Sequence, residues 1–328
     1  MKPVDRALLI VVLAGTFMTV LDFFIVNVAI PSIGHDLSAG SAVIQWVIAG
    51  YGIPYGAGLI TGGKLGDLYG RRRLFMLGLA VFTLASVACG LAPSSAFLVA
   101  ARVGQGAGAA LLVPQVLAIM NTTFTGSARV SAFTVYGVIL GLAAVFGQLI
   151  GGSLIQANLF GLGWRACFLI NVPIGAAALI MAHRVVPESK SDIRARLDIG
   201  GMLLISLALL ATVLPLIQGR QQGWPLWTWL SLAGAAALFA IFVAQQRRRA
   251  VPLIDPVLFQ ERVFTAGVLA QLVFWMGQAA FFLVFALYVQ QGRGMGPLAA
   301  GIIFIPLGAG YTATSLTARR LATASGTK

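Results

Sequence analysis

The chain has 328 residues, of which 59% are apolar and 9% charged. A soluble domain carries about a quarter charged residues, so there are too few here to cover a water-facing surface. The formal charge of +13 falls in short clusters between apolar blocks. That pattern excludes a basic stripe interleaved with aromatics, so nucleic acid is not an expected partner and the lipid bilayer is.

The apolar blocks run to about 20 residues, the length that crosses about 30 Å of hydrocarbon. Ten spans are predicted, at 7–30, 43–62, 74–92, 96–119, 131–155, 166–183, 199–217, 226–244, 264–289 and 298–317. The fold class is therefore an all-α polytopic membrane protein. Lys2 and Arg6 ahead of an apolar run suggest a signal peptide, but the run continues to Ile30 and no cleavage site follows. It reads as a retained first span.

Asp22 lies about two-thirds of the way along this span. A carboxylate at such depth costs about 2.5–3.5 kcal/mol on insertion scales, and is a functional candidate by default. Desolvation opposes its ionisation, which suits a group that takes up and releases a proton. Span two is followed by Gly63-Lys64-Leu65-Gly66-Asp67-Leu68-Tyr69-Gly70-Arg71-Arg72-Arg73. Its glycines and aspartate predict a tight cytoplasmic turn acting as a charge latch, in which Asp67 accepts from arginines or from a neighbouring helix N-terminus. Gly63, Asp67, Gly70, Arg71 and Arg72 are the latch candidates.

Arg102 lies six residues into span four. Span one runs outward and span four inward, so Asp22 and Arg102 are predicted at similar depth in the outer half of the bilayer. An arginine there would favour the ionised carboxylate, and separating the two would change proton affinity. The glycine pairs Gly52/Gly56, Gly58/Gly62, Gly104/Gly108, Gly137/Gly141 and Gly147/Gly151 are each four apart. That spacing puts both on one helix face and permits close backbone approach. Their crowding in spans two, four and five suggests helices that slide or rock. Span five also reads Gly147-Gln148-Leu149-Ile150-Gly151-Gly152, a buried glutamine among glycines.

The polar loop from His183 to Asp198, with Pro187-Glu188-Ser189-Lys190, follows span six and marks the end of a first unit. The predicted organisation is a six-helix bundle at 1–183, a cytoplasmic linker at 184–197, a two-helix insert at 198–245 and the start of a second bundle at 246–328. With the N-terminus inside, eighteen Lys and Arg fall in inner loops and tails, and three, Arg165, Arg220 and Arg293, fall outside. This predicts a multi-pass cell-membrane protein with both termini cytoplasmic. Cys89 and Cys167 lie in apolar spans without metal-ligand spacing, so no metal is expected, and His35 and His183 flank spans singly. A membrane-embedded enzyme would need paired acids, a histidine cluster or a metal set inside the spans, and none is present.

The segment after span two resembles motif A of the major facilitator superfamily. Leu21-Asp22-Phe23-Phe24-Ile25-Val26-Asn27-Val28-Ala29-Ile30-Pro31 resembles the span-one motif of its fourteen-helix drug:proton antiporters (the EmrB/QacA-like family), with Phe24 where threonine is usual. Arg102-Val103-Gly104-Gln105-Gly106 resembles the span-four motif, and Trp164-Arg165-Ala166-Cys167-Phe168-Leu169-Ile170-Asn171-Val172-Pro173 the start of span six. The two linking spans and Pro252-Leu253-Ile254-Asp255 fit the same layout. One departure is Gln148, which stands where the antiporter motif of span five carries a proline.

The resemblance implies a proton-coupled multidrug exporter, with a solute:proton symporter or a non-transporting remnant as alternatives. It implies ten of fourteen helices, with four absent, so that this chain alone would not transport. It implies proton coupling through Asp22 and Arg102, no cofactor beyond the proton gradient, and a small lipophilic or cationic substrate. Asn27, Trp46, Tyr51, Tyr55, Gln105 and Gln115 are the candidate cavity residues, an acid among aromatics suiting a cation through charge and cation–π attraction.

Overall fold

A computed structural model describes residues 3–190, 198–249, 252 and 256–324. Among these, nine helices are long and apolar enough to cross a membrane. The first five are α1 (Pro3–Asp36), α2 (Ser41–Tyr69), α3 (Arg71–Gly90), α4 (Ser95–Thr123) and α5 (Gly126–Ala157). The sixth crossing is broken into α6 (Ala166–Leu169) and α7 (Asn171–Val185). Then come α8 (Ile199–Gln218), α9 (Leu226–Arg248) and α10 (Arg262–Leu287).

The expected tenth span at 298–317 is not one helix. It is divided into α11 (Pro297–Ile302) and α12 (Ile305–Ala324). Pro306 explains the break. Its ring displaces the carbonyl four residues back, on Ile302, where α11 ends. Pro173 does the same to Leu169 and divides α6 from α7. Part of the expected linker, 191–197, lies outside the described residues, as do 253–255.

The first bundle is held by backbone approaches that only glycine permits. A Cβ on Gly62 of α2 would lie 2.1 Å from the Ala110 carbonyl oxygen of α4, and one on Gly106 would lie 2.3 Å from the Tyr51 oxygen of α2. Gly78 of α3 and Gly108 of α4 interlock in the same way, and Gly151 of α5 presses on Ile25 and Val28 of α1. Gly52, Gly56 and Gly137 face open space, so three of the paired glycines do not serve helix contact.

Helices α8 and α9 pack on each other, and α8 rests on α2. At one end of the bundle Asp198 caps α8 by accepting from the Gly201 amide, and draws in Gln246 of α9 (2.7 Å) and Arg249 (3.2 Å). Burial raises the Asp198 carboxyl's proton affinity. The Gly201 amide, Gln246 and the positive charges of Arg249 and Lys64 outweigh it and hold the pKa below the ordinary carboxylate value. The anchoring is therefore complete above that ordinary value and is lost as pH falls through the lowered one. At the opposite end Asp36 accepts from Trp164 Nε1 (2.9 Å) and Arg165 (2.5 Å), tying α1 to the start of span six. Large apolar side chains such as Leu84, Ile180, Leu203, Leu230 and Val273 are exposed, the surface a lipid contact requires.

Candidate functional site

Asp22 and Arg102 are brought into direct contact. Both are fully buried, and Arg102 Nη1 donates to Asp22 Oδ2. The same nitrogen reaches Gln105 Oε1 at 2.8 Å, and Arg102 Nε donates to the Val47 carbonyl of α2 at 3.0 Å. The other carboxylate oxygen accepts from Gln105 Nε2 and Asn171 Nδ2, each at 3.0 Å. Ser86 of α3 accepts from Gln105 at 2.7 Å. The Arg102 guanidinium lies over the Tyr51 ring at 4.5 Å. One ion pair thus gathers α1, α2, α3, α4 and α7 at a single point.

The local sequence explains this assembly. Arg102 and Gln105, three apart, share a face of α4. Asn171 is delivered by the break at Pro173, which turns the first residue of α7 toward the carboxylate. An ion pair with no exposure and these partners is stabilised only while both charges remain, because removing either leaves the other buried and unpaired.

Beside it lies a cavity of about 410 Å³ between α1, α2, α5 and α10. Thr19, Phe23, Tyr51, Tyr55, Tyr136 and Trp275 are among its lining residues, and among the described residues no charged side chain is. Tyr51 stands between this cavity and the ion pair. Its hydroxyl is occupied, donating to the Thr19 carbonyl at 3.2 Å.

Of the expected cavity residues, Tyr51 and Tyr55 line this space and four do not. Gln105 is wholly consumed by the ion-pair network. Gln115 is buried between helices, donating to the Gly62 carbonyl of α2 at 2.7 Å, with Gly66 seated against its amide. It clamps α2 to α4. Asn27 is 5% exposed and Trp46 is half-buried, both outside the cavity wall. Asp22 does not reach the cavity either.

The latch differs from its expected form. Gly63 to Tyr69 is not a turn but the last two turns of α2, because Gly66, like Gly62 before it, faces α4 where a side chain would collide, while Gly63 makes room for only an ordinary contact with Pro114. The chain reverses at Gly70, whose φ of 113° favours glycine. Asp67 pairs with Arg71 at 2.6 Å. The acid at the α3 N-terminus is Glu188, from the loop after span six. Its Oε1 accepts from the Arg72 amide at 3.1 Å, and Arg72 and Arg73 lie 3.9 and 3.7 Å from Oε2. Sequence reasoning missed Glu188 as a partner. The available signal was an acid in the most polar loop, facing three successive arginines.

Replacing Glu188 by alanine is expected to fray the first turn of α3. A lost helix cap costs about 0.5–2 kcal/mol, so the Arg72 to Phe75 amides should exchange hydrogen about tenfold faster while the middle of α3 is unchanged. Unchanged exchange at Arg72 would remove Glu188 from this role.

Gln148, the departure in span five, is fully buried and donates to the Phe24 carbonyl of α1 at 3.1 Å. α5 runs unbroken past it. Its other amide atom, Oε1, has no hydrogen-bond partner among the described residues. Cys89 and Cys167 are buried, and no group of metal-ligating side chains occurs among the described residues.

A family model described as Major Facilitator Superfamily matches residues 12–327. A probable actinorhodin transporter of Streptomyces coelicolor is 39% identical over 300 residues, covering 90% of this chain and 52% of that protein. The cephamycin export protein of Amycolatopsis lactamdurans is 37% identical over 308 residues, covering 91% and 62%. The chain thus spans about half to three-fifths of the length of these curated relatives. In fold it is similar to a crystal structure of a D-xylose–proton symporter, with a TM-score of 0.58, 15% identity, and 97% and 69% of the two chains covered. A peptide transporter crystallised with sulfate gives a TM-score of 0.60 at 16% identity, with coverages of 92% and 67%.

Proposed function

We propose, from the premise that this chain belongs to the Major Facilitator Superfamily, that it serves the export of drug-like compounds against inward proton movement. The observation that carries this reading is the buried Asp22–Arg102 pair one aromatic ring away from a cavity of drug size. The names of the relatives, transporters and export proteins for antibiotics, support the direction of transport. The motifs quoted above support membership of the fourteen-helix drug:proton antiporters.

The chemistry follows from the charges. With Asp22 ionised, Arg102 holds α1 and α4 together. A proton delivered to Asp22 cancels one charge and weakens the contact. α1 and α4 are then free to separate, with Gln105 and Asn171 released from the same oxygen. Loss of the proton to the other side restores the pair. Movement of the helices around a midplane site is how secondary transporters alternate access.

Everted membrane vesicles test the reading. With an acid interior, vesicles holding residues 1–328 within a fourteen-helix transporter should accumulate ethidium or the neutral dye Nile red, and a protonophore should abolish the accumulation. Export of either dye from the lumen instead would indicate symport. Accumulation of neither by that fourteen-helix form would refute export.

The orientation proposed is a cell-membrane protein with both ends cytoplasmic, on the charge asymmetry of the loops. A cysteine at Ser127, in the first turn of α5 two residues before Arg129, should be protected from impermeant reagents added outside intact cells. Outside labelling at that position overturns the topology.

A further inference from the structure

The carboxylate at the centre of the ion pair is surrounded by donors. Arg102 Nη1 holds Asp22 Oδ2, and Gln105 Nε2 and Asn171 Nδ2 hold Oδ1. That suits an ionised acid, which only accepts. A protonated acid must donate its O–H, and a buried donor with no acceptor carries a penalty. A proton carrier in this place therefore needs an acceptor within reach.

Most of the nearby oxygens are spent. Gln105 Oε1 accepts from Arg102 Nη1 at 2.8 Å and from Cys89 Sγ at 3.2 Å. Ser86 Oγ accepts from Gln105 Nε2 at 2.7 Å and from Asn171 Nδ2 at 3.4 Å. The titratable groups facing Asp22 are Arg102 of α4, Tyr51 of α2, Cys89 of α3 and Cys167 of α6. The last three direct their own hydrogens elsewhere, to the Thr19 carbonyl, to Gln105 and to the Gly151 carbonyl. One oxygen is left over. Asn171 Oδ1 is fully buried and has no hydrogen-bond partner among the described residues. It belongs to the same amide whose nitrogen touches the carboxylate.

Half a turn about the Asn171 Cβ–Cγ bond exchanges the two amide atoms, and that torsion is roughly two-fold. Oδ1 then stands about where Nδ2 now lies, 3.0 Å from Asp22 Oδ1. The O–H of a protonated Asp22 can donate to it. The number of unpaired groups is the same in both states: one amide oxygen when Asp22 is ionised, one amide nitrogen when it is protonated. Without the turn, protonation would leave both the acid O–H and the amide oxygen unpaired.

We propose that Asn171 is a two-state partner of the proton carrier, donating to ionised Asp22 and, turned over, accepting from protonated Asp22. α7 thereby keeps its hold on α1 in both states, while the contact with Arg102 of α4 weakens on protonation. The proposal rests on the reading of Asp22 as the proton carrier.

Infrared difference spectra of the purified 328-residue chain in detergent, acid minus neutral, report on both partners. The chain has four asparagines, so isotopic labelling of their side-chain carbonyls adds few bands. Acidification should bring up a carboxylic-acid carbonyl band that Asp22→Asn lacks. In step with it, one labelled amide band should shift to lower frequency, as a carbonyl does when it gains a hydrogen bond. That shift should be absent from Asp22→Asn and from Asn171→Leu. In Asn171→Leu the Asp22 band should persist at higher frequency, because its O–H has lost its acceptor. Asn171→Thr, whose hydroxyl both donates and accepts, should bring it part of the way back. If Asn171→Leu does not fold, the shift in the labelled wild type and its loss in Asn171→Thr decide the matter. An amide band that stays still while the Asp22 band appears overturns the proposal. So does an Asp22 band unmoved in Asn171→Leu, or the absence of any Asp22 band before the protein unfolds. Protonophore-sensitive dye accumulation by the fourteen-helix form, with an unmoved amide band, leaves the export reading standing and removes Asn171. Both bands as expected with no accumulation does the reverse.

Discussion

Asp22→Asn should abolish gradient-driven dye accumulation at unchanged expression, and it should also lower the melting temperature of the purified protein. The second effect follows from burial. Arg102 is left without its counter-charge in a site with no exposure, and removing one partner of a buried pair costs about 3–5 kcal/mol. Arg102→Ala should be as destabilising, because a carboxylate is then buried alone. Arg102→Lys is milder, yet a lysine cannot reproduce the donors now spent on Val47, Asp22 and Gln105 from a planar fork. Asp22→Glu keeps the charge and part of the coupling.

Stability and coupling are distinguished by the double variant Asp22→Asn/Arg102→Gln. A neutral pair in the same place has no uncompensated charge, so it should melt above either single variant. It should nevertheless accumulate no dye. Coupling is assigned to the ion pair by that dissociation of the two readouts. Wild-type accumulation in Asp22→Asn would remove the pair from the mechanism, and a double variant no more stable than the singles would remove it from the fold's support.

The ion pair was legible in the sequence because charges inside apolar stretches are rare and stand out one at a time. Its partners were not. Ser86, Gln105 and Asn171 are neutral polar residues in long apolar helices, where periodicity carries no information about which way each faces. Asn171 depends on the break at Pro173, a tertiary consequence of a local rule. The tenth span is present at the expected place, but its division into two helices is hidden for the same reason. Hydropathy runs straight through Pro306, but the helix cannot. The motif after span two was read as a turn from its glycines. In the fold those glycines permit α2 to continue against α4, and the turn is left to Gly70 alone. Gln115 was assigned to the cavity by polarity, whereas the close approach of α2 and α4 uses it as a clamp.

The glycines offer the sharpest contrast between positions that the sequence treats alike. Gly52, Gly56, Gly62 and Gly106 all lie within spans, and Gly52/Gly56 has the same four-residue spacing as Gly58/Gly62. Gly106→Ala should be severe. The added methyl would lie 2.3 Å from the Tyr51 oxygen and 2.7 Å from Pro54, and backbone cannot yield as a side-chain tip can. Gly62→Ala meets the Ala110 carbonyl at 2.1 Å and should be at least as damaging. In both, α2 and α4 must move apart. Overpacking of this kind costs about 1–3 kcal/mol, occasionally more. Separation of α2 from α4 also draws the Val47 carbonyl away from Arg102, so the damage reaches the ion pair. Both variants should lose folded yield in detergent and melt early. Gly52→Ala and Gly56→Ala meet nothing within 4 Å. Alanine is favoured over glycine in a helix by about 0.5–1 kcal/mol, so these two should melt at or above the wild-type temperature. Size-exclusion profiles and melting curves of the four variants decide the matter. A tolerated Gly106→Ala, or a Gly52→Ala as damaging as Gly62→Ala, would show that the α2–α4 approach is not what these glycines are for.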